Sequence, residues 1–82
     1  MDVDLAILGA PPERFDEYER QIRAEYAHVS DEAFRAGRMK VLQVFLARPG
    51  IYSTDRMRKD FEDQARRNLR RSIERLLGER DR

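Results

Sequence analysis

Apolar residues recur every three or four positions along most of this chain, which is the spacing of one face of an α-helix. The pattern predicts a short helix ending near Leu8 and three longer helices at about residues 12–28, 31–47 and 54–77. Period-two alternation, which would indicate strands, is not sustained anywhere. We therefore predict an all-α fold, a small helical bundle in which residues 1–82 form one domain. The three longer stripes are Phe15, Tyr18, Ile22, Tyr26 and Val29; Phe34, Val41, Leu42, Phe45 and Leu46; and Met57, Phe61, Ala65, Leu69, Ile73, Leu76 and Leu77.

The predicted helix ends carry residues suited to them. Gly9 follows the first helix, where a positive φ is common, and Pro12 suits a first helical position. Ser30 is the expected N-cap of the third helix, and Thr54 (or Ser53) of the last.

Three further features bear on packing. Gly37 lies inside a helical stripe and is expected to mark a close helix contact. Ile51 and Tyr52, between two helices, are expected to fold back onto the core. Opposite charges four residues apart predict ion pairs along the helices: Asp16–Arg20, Glu19–Arg23, Glu62–Arg66, Asp63–Arg67 and Arg70–Glu74.

Composition excludes several classes of protein. The 82 residues are 40% hydrophobic and 40% charged, and they contain no Cys and one His. Disulfide scaffolds, Cys-based zinc sites and paired-His metal sites are therefore excluded. No apolar run approaches the roughly 20 residues of a membrane helix. We expect no membrane partner and a cytoplasmic location.

The net charge of +1 is unevenly distributed, with −4 in residues 1–30, +2 in residues 31–54 and +3 in residues 55–82. The acidic beginning and basic end are therefore expected to contact each other or to serve different partners. A near-zero net charge favours weak or no binding to nucleic acid.

Candidate chemistry is sparse. His28 could be a general base or a metal ligand, but a surface position near a helix end is the favoured interpretation. Five arginines in the last helix could contact phosphates, although a solvated or partner-facing helix is favoured. They are Arg66, Arg67, Arg70, Arg71 and Arg75.

A helix-turn-helix module is the alternative. Residues 41–57 have an apolar helix, a Pro-Gly turn and a capped helix, in which Asp55, Arg56, Arg58 and Lys59 would face base edges. The turn is longer than the three or four residues typical of this motif. The same region could equally serve as a protein-interaction module.

A series of sequence blocks carries a resemblance. The first is Asp2-Val-Asp-Leu-Ala-Ile-Leu-Gly9, followed by Pro12-Glu-Arg-Phe-Asp-Glu-Tyr18 and Ile22-Arg-Ala-Glu-Tyr26. The later blocks are Val41-Leu, Phe45-Leu-Ala-Arg48, Ile51-Tyr-Ser-Thr54, Phe61-Glu and Ala65-Arg-Arg-Asn-Leu69. In order and spacing the series resembles the C-terminal third of a bacterial family, the predicted metal-dependent phosphohydrolases of the HD superfamily.

The resemblance implies a divalent metal held by an early His, a His-Asp pair and a late Asp, with hydrolysis of phosphate esters by metal-activated water. The late Asp corresponds to Asp4, with Asp2 as second choice. The early His and the His-Asp pair have no counterpart in this sequence. One carboxylate does not make a divalent site, so the chain alone is expected to be inactive, without a catalytic residue or a cofactor of its own.

The expected role is therefore a C-terminal portion, or a truncated relative, of such an enzyme; a small helical bundle of no enzymatic descent is the third interpretation. The expected partner is the missing N-terminal HD part, or a second copy that docks through the apolar residues of the N-terminal segment. These residues are Val3, Leu5, Ala6, Ile7 and Leu8.

Overall fold

The computed structural model describes the backbone of residues 5–80 and the side chains of residues 5–78. Within residues 5–80 the regular structure is entirely helical, which confirms the all-α prediction, and no helix there is both long and apolar enough to cross a bilayer. The elements are α1 (Leu5–Leu8), α2 (Pro12–Glu25), α3 (Asp31–Ala47), α4 (Asp55–Met57), a π-helical segment (Arg58–Glu62) and α5 (Asp63–Arg80).

The predicted helix starts are confirmed. Pro12 is the first residue of α2. The Ser30 hydroxyl accepts a hydrogen bond from the Ala33 N–H at 3.2 Å, and the Thr54 hydroxyl accepts one from Met57 N–H, also at 3.2 Å. Each side chain thus satisfies one of the N–H groups that have no partner at the start of a helix.

Helix α2 ends at Glu25, three residues earlier than the predicted 28. The Arg23 guanidinium donates to the carbonyl oxygen of Tyr26 at 2.9 Å and to that of Val29 at 3.3 Å. Because the side chain satisfies these carbonyls, the chain can leave the helix and form turns before α3. Sequence periodicity does not register such a competing partner.

The core lies where α5 packs against α3 and α1, while α1 also packs against α2. Ile51 and Tyr52 lie in the connector between α3 and α4, residues 48–54, and are 3% and 1% exposed, which confirms that this connector folds inward. Buried hydrophobic residues come from every part of the chain between Leu8 and Leu69: Leu8, Phe15, Ile22, Leu42, Ile51, Tyr52, Ala65 and Leu69.

The apolar stripes are wider than the surfaces that are buried. Val41 and Leu77, assigned to the buried faces of their helices, are 39% and 47% exposed. Phe45 is half-buried, and the Arg48 guanidinium lies 4.8 Å from its ring centroid. The helices meet along a narrower strip, in which Leu42 is the fully buried residue of α3.

Both glycine expectations are wrong. No glycine in the described chain has a positive φ, so Gly9 is not used for a left-handed turn. A Cβ at Gly9 would instead lie 2.7 Å from the Phe61 Cβ and 3.0 Å from the Phe61 carbonyl oxygen, so Gly9 permits close backbone approach. A Cβ at Gly37 would meet nothing within 4 Å, so no close helix contact is made there.

The ion pairs mostly link different helices. Glu62–Arg66 forms as predicted, at 2.9 Å. Asp16 contacts Arg71 and Arg75 rather than the predicted Arg20, and Glu19 contacts Arg38 rather than the predicted Arg23. The acidic α2 therefore lies against cationic side chains of α3 and α5, which confirms that the acidic beginning of the chain contacts its basic end.

Candidate functional site

Helix α1 is held in place by side chains from elsewhere in the chain. It has four residues, and a single helical turn is not stable in isolation. The Tyr52 hydroxyl donates to the Leu5 carbonyl oxygen at 2.6 Å. The Asn68 amide donates to the carbonyl oxygens of Leu8, at 2.9 Å, and Ala10, at 2.8 Å. Both ends of α1 are thus fixed by buried polar side chains.

Asn68 is fully buried, at 0% exposure, and its hydrogen-bonding capacity is used on both sides. The Nδ2 group donates to the carbonyl oxygens of Leu8 and Ala10, at and just beyond the end of α1, while Oδ1 accepts from the Gln64 Nε2 at 2.9 Å. A buried amide whose partners are all present stabilises one arrangement of the chain, because any shift would leave a polar group unpaired.

Tyr52 is held by a second set of contacts. The Glu62 carboxylate accepts from the backbone N–H groups of Ile51, at 3.1 Å, and Tyr52, at 3.4 Å. The Arg58 Nε donates to the Tyr52 carbonyl oxygen at 2.7 Å. Arg66, paired with Glu62, donates to the Leu46 carbonyl oxygen at 3.0 Å and so ties the connector to the end of α3.

The π-helical segment brings these groups together. It contains Phe61 and Glu62, and Phe61 faces both Gly9 and the Tyr52 ring, whose centroid is 5.9 Å away. A π-helical turn widens a helix locally and often occurs beside functional sites. Here Gly9, just after α1, lies against the Phe61 backbone of this segment, while the Glu62 carboxylate accepts from the N–H groups of Ile51 and Tyr52.

The pKa of Glu62 reflects these contacts. Burial raises the pKa of its carboxyl, but the N–H groups of Ile51 and Tyr52 and the charge of Arg66 outweigh burial and leave the pKa below its usual value. The charged form of Glu62 is therefore the one that stabilises the connector.

Arg71 fixes the link between α1 and α2. Its guanidinium donates to the Pro12 carbonyl oxygen at 3.3 Å and to the Asp16 carboxylate at 2.6 Å. Burial raises the pKa of the Asp16 carboxyl, but hydrogen bonding and charge from Arg71, with a smaller effect from Arg75, outweigh burial and leave the pKa below its usual value. With Asn68, Arg71 holds consecutive parts of the chain from Leu8 to Asp16.

The two predicted metal ligands lie outside the described residues. Asp4 and Asp2 precede Leu5, where the description begins, so their assignment stays a prediction. Among the side chains that the structure describes, residues 5–78, no group of three or more Asp, Glu or His is able to hold a metal ion. His28 lies exposed in the turn after α2, near the Tyr26 ring, which agrees with the surface interpretation.

The arginines of the last helix divide into two groups. Arg66 and Arg71 are half-buried and bind backbone carbonyls, so neither lies on the solvated or partner-facing surface that was expected, whereas Arg67, Arg70 and Arg75 are exposed. In the helix-turn-helix alternative Arg58 would face base edges, but its Nε donates to the Tyr52 carbonyl oxygen of the connector.

Sequence reasoning missed Tyr52 as a hydrogen-bond donor, and Asn68 altogether. A signal for Asn68 was available: it lies at helical spacing from Phe61, Ala65 and Leu76, and thus on the apolar stripe of α5. A polar residue in such a position is buried and must find partners. Nothing local indicated that its partners are the carbonyls after α1.

No family model matches the chain, and neither curated proteins nor solved structures include a significant match to it.

Proposed function

We propose that this chain is the C-terminal helical portion, or a truncated relative, of an HD-type metal-dependent phosphohydrolase, and that it has no hydrolase activity alone. The observation that supports this is the anchoring of α1 by Tyr52 and Asn68. The residue next to the anchored Leu5 is Asp4, to which the resemblance assigns the late metal ligand.

A carboxylate that binds a metal must be held in a defined position, because coordination distances vary little. The Leu5 carbonyl, one peptide from Asp4, is fixed at 2.6 Å from a hydroxyl whose residue is 1% exposed. Tyr52 and Asn68, which are 1% and 0% exposed, thus restrict the short helix that follows Asp4. Positioning of the adjacent acid accounts for this arrangement.

The chain supplies one ligand in this proposal. The side chains described for residues 5–78 do not fit a complete divalent site, so in this proposal the remaining ligands, a His and a His-Asp pair, belong to an upstream HD part. That part is the proposed partner, within the cytoplasm. The apolar side chains of α1 contribute to the packing here, since Leu8 is 1% exposed and Leu5 and Ile7 pack against the core.

Two experiments test the proposal. Titration of the 82-residue chain with Mn²⁺, Ni²⁺ or Zn²⁺ is expected to show no saturable micromolar binding, and no phosphatase activity is expected. Tight stoichiometric binding would contradict the idea of a partial site.

The second experiment joins the chain to the polypeptide encoded immediately upstream. We expect metal-dependent phosphatase activity that Asp4→Ala abolishes with the helical circular dichroism unchanged, whereas Asp2→Ala, the matched control, does less. An upstream sequence without a His and a His-Asp pair, or an active enzyme indifferent to Asp4→Ala, would refute the assignment.

A further inference from the structure

A cationic cleft lies between α2, α3 and α5. Its volume is about 360 Å³, and five arginines line it: Arg20, Arg23, Arg35, Arg38 and Arg75. Two carboxylates line the same cleft, so its formal charge is +3. This excess is notable in a chain whose net charge is +1.

The two carboxylates are engaged with particular arginines. Glu19 accepts two hydrogen bonds from Arg38, both at 2.9 Å, and Asp31 accepts one from Arg23 at 2.5 Å. Each pair joins two elements and restricts its guanidinium to one region of the wall. The carboxylates therefore orient two of the five cations. A third, Arg75, lies 3.5 Å from the Asp16 carboxylate of α2, and the cleft counted together with Asp16 keeps a formal charge of +2.

The rest of the lining supplies a hydroxyl and apolar surface. Ser72 lies in the wall of the cleft and is 6% exposed. Phe34 and Leu76 add apolar area. The volume is within the range of about 300–1,000 Å³ that is common for small-molecule sites.

We propose that this cleft binds a small molecule carrying two or more phosphate groups. Guanidinium groups bind phosphate oxygens through paired, charge-assisted hydrogen bonds, and arginine is preferred for this role because its donors are held in a plane. Arginines on three helices surround one cleft, so several can reach the same polyanion. No residue of α1 lines the cleft, and the site is therefore independent of the proposed metal ligand.

The test is isothermal titration of the 82-residue chain with ADP, pyrophosphate and adenosine. ADP and pyrophosphate are expected to bind saturably, and adenosine is not. Arg20→Gln and Arg75→Gln are each expected to weaken ADP binding by about tenfold, the effect of losing one charge-assisted contact. Arg70→Gln, which removes the same charge from an exposed position on α5 outside the cleft, is expected to change affinity less than about twofold.

Backbone amide shifts measured with ADP locate the site independently of any variant. The amides of Ser72 and Leu76 are expected to move and that of His28 is not. A melting curve confirms that each variant is folded, and Arg20→Gln, at an exposed residue, serves if Arg75→Gln proves unstable. The proposal is overturned if neither ADP nor pyrophosphate saturates at millimolar concentration, if adenosine binds as well as ADP, or if Arg70→Gln weakens binding as much as Arg20→Gln.

Discussion

Replacement of Asn68 by Ala tests how α1 is attached to the rest of the chain. The variant removes the amide that donates to the carbonyl oxygens of Leu8 and Ala10. The Leu8 contact is buried, and an unpaired buried carbonyl costs about 1–3 kcal/mol. The Ala10 contact is partly buried, so water can replace the donor and the loss there is about 0.5–1.5 kcal/mol.

The sum predicts that Asn68→Ala lowers the free energy of unfolding by about 1.5–4.5 kcal/mol. Small domains have total stabilities near ~5 kcal/mol, so the variant is expected to lose much of its resistance to urea. Urea unfolding followed by circular dichroism at 25 °C gives the change, with the midpoint and slope reported separately. Hydrogen exchange then shows whether the residues around α1 lose protection first.

Ser72→Ala is the matched control, because Ser72 is buried in the same helix but is not one of the two residues, Tyr52 and Asn68, that anchor α1. We expect it to change the free energy of unfolding by less than about 0.5 kcal/mol. If Asn68→Ala is equally mild, α1 is not held by this amide, and the argument for a positioned Asp4 loses its structural support.

Three further predictions concern stability. Gly37→Ala is expected to stabilise the chain by about 0.5–1 kcal/mol, because it raises the helix propensity at a position where the added Cβ meets no other atom. Gly9→Ala is expected to destabilise the chain, because the added Cβ would lie 2.7 Å from the Phe61 Cβ. Thermal melts in which Gly9→Ala is the more stable variant would contradict both expectations. Because the pKa of Glu62 is lowered in the folded chain, the carboxylate contributes fully to stability above its ordinary pKa of 4.5, and this contribution is lost as the pH falls through the folded-state pKa. Glu62→Gln is therefore expected to reduce the loss of unfolding free energy at acid pH, measured by urea unfolding at a series of pH values. Leu69→Ala, at a residue that is 0% exposed, is expected to lower the free energy of unfolding by about 2–5 kcal/mol. Phe45→Ala, at a half-buried residue, is expected to lower it by less than the loss of a fully buried phenylalanine, which is about 3–5 kcal/mol. Equal urea midpoints for the two variants would show that burial does not govern the difference.

The elements that the sequence predicted correctly depend on neighbours a few residues apart. Ser30 and Thr54 cap the N–H groups three positions ahead, and the bounds of α3 follow from a cap at one end and Pro49 beyond the other. Such interactions are complete within one or two turns of helix. For this reason the all-α class and the approximate helix bounds could be derived from the order of residues alone.

The tertiary structure decided which face of each helix is buried and which polar groups meet across the core. Asp16 lies four residues from Arg20, yet it pairs with Arg71, and Asn68 reaches carbonyls some sixty positions away in sequence. A helix surface offers several contact strips of similar hydrophobicity, and a short chain can pack them in more than one way. The choice among them depends on how all the helices fit together at once. Periodicity and local charge spacing do not contain this information, because they relate only residues within a turn or two of each other.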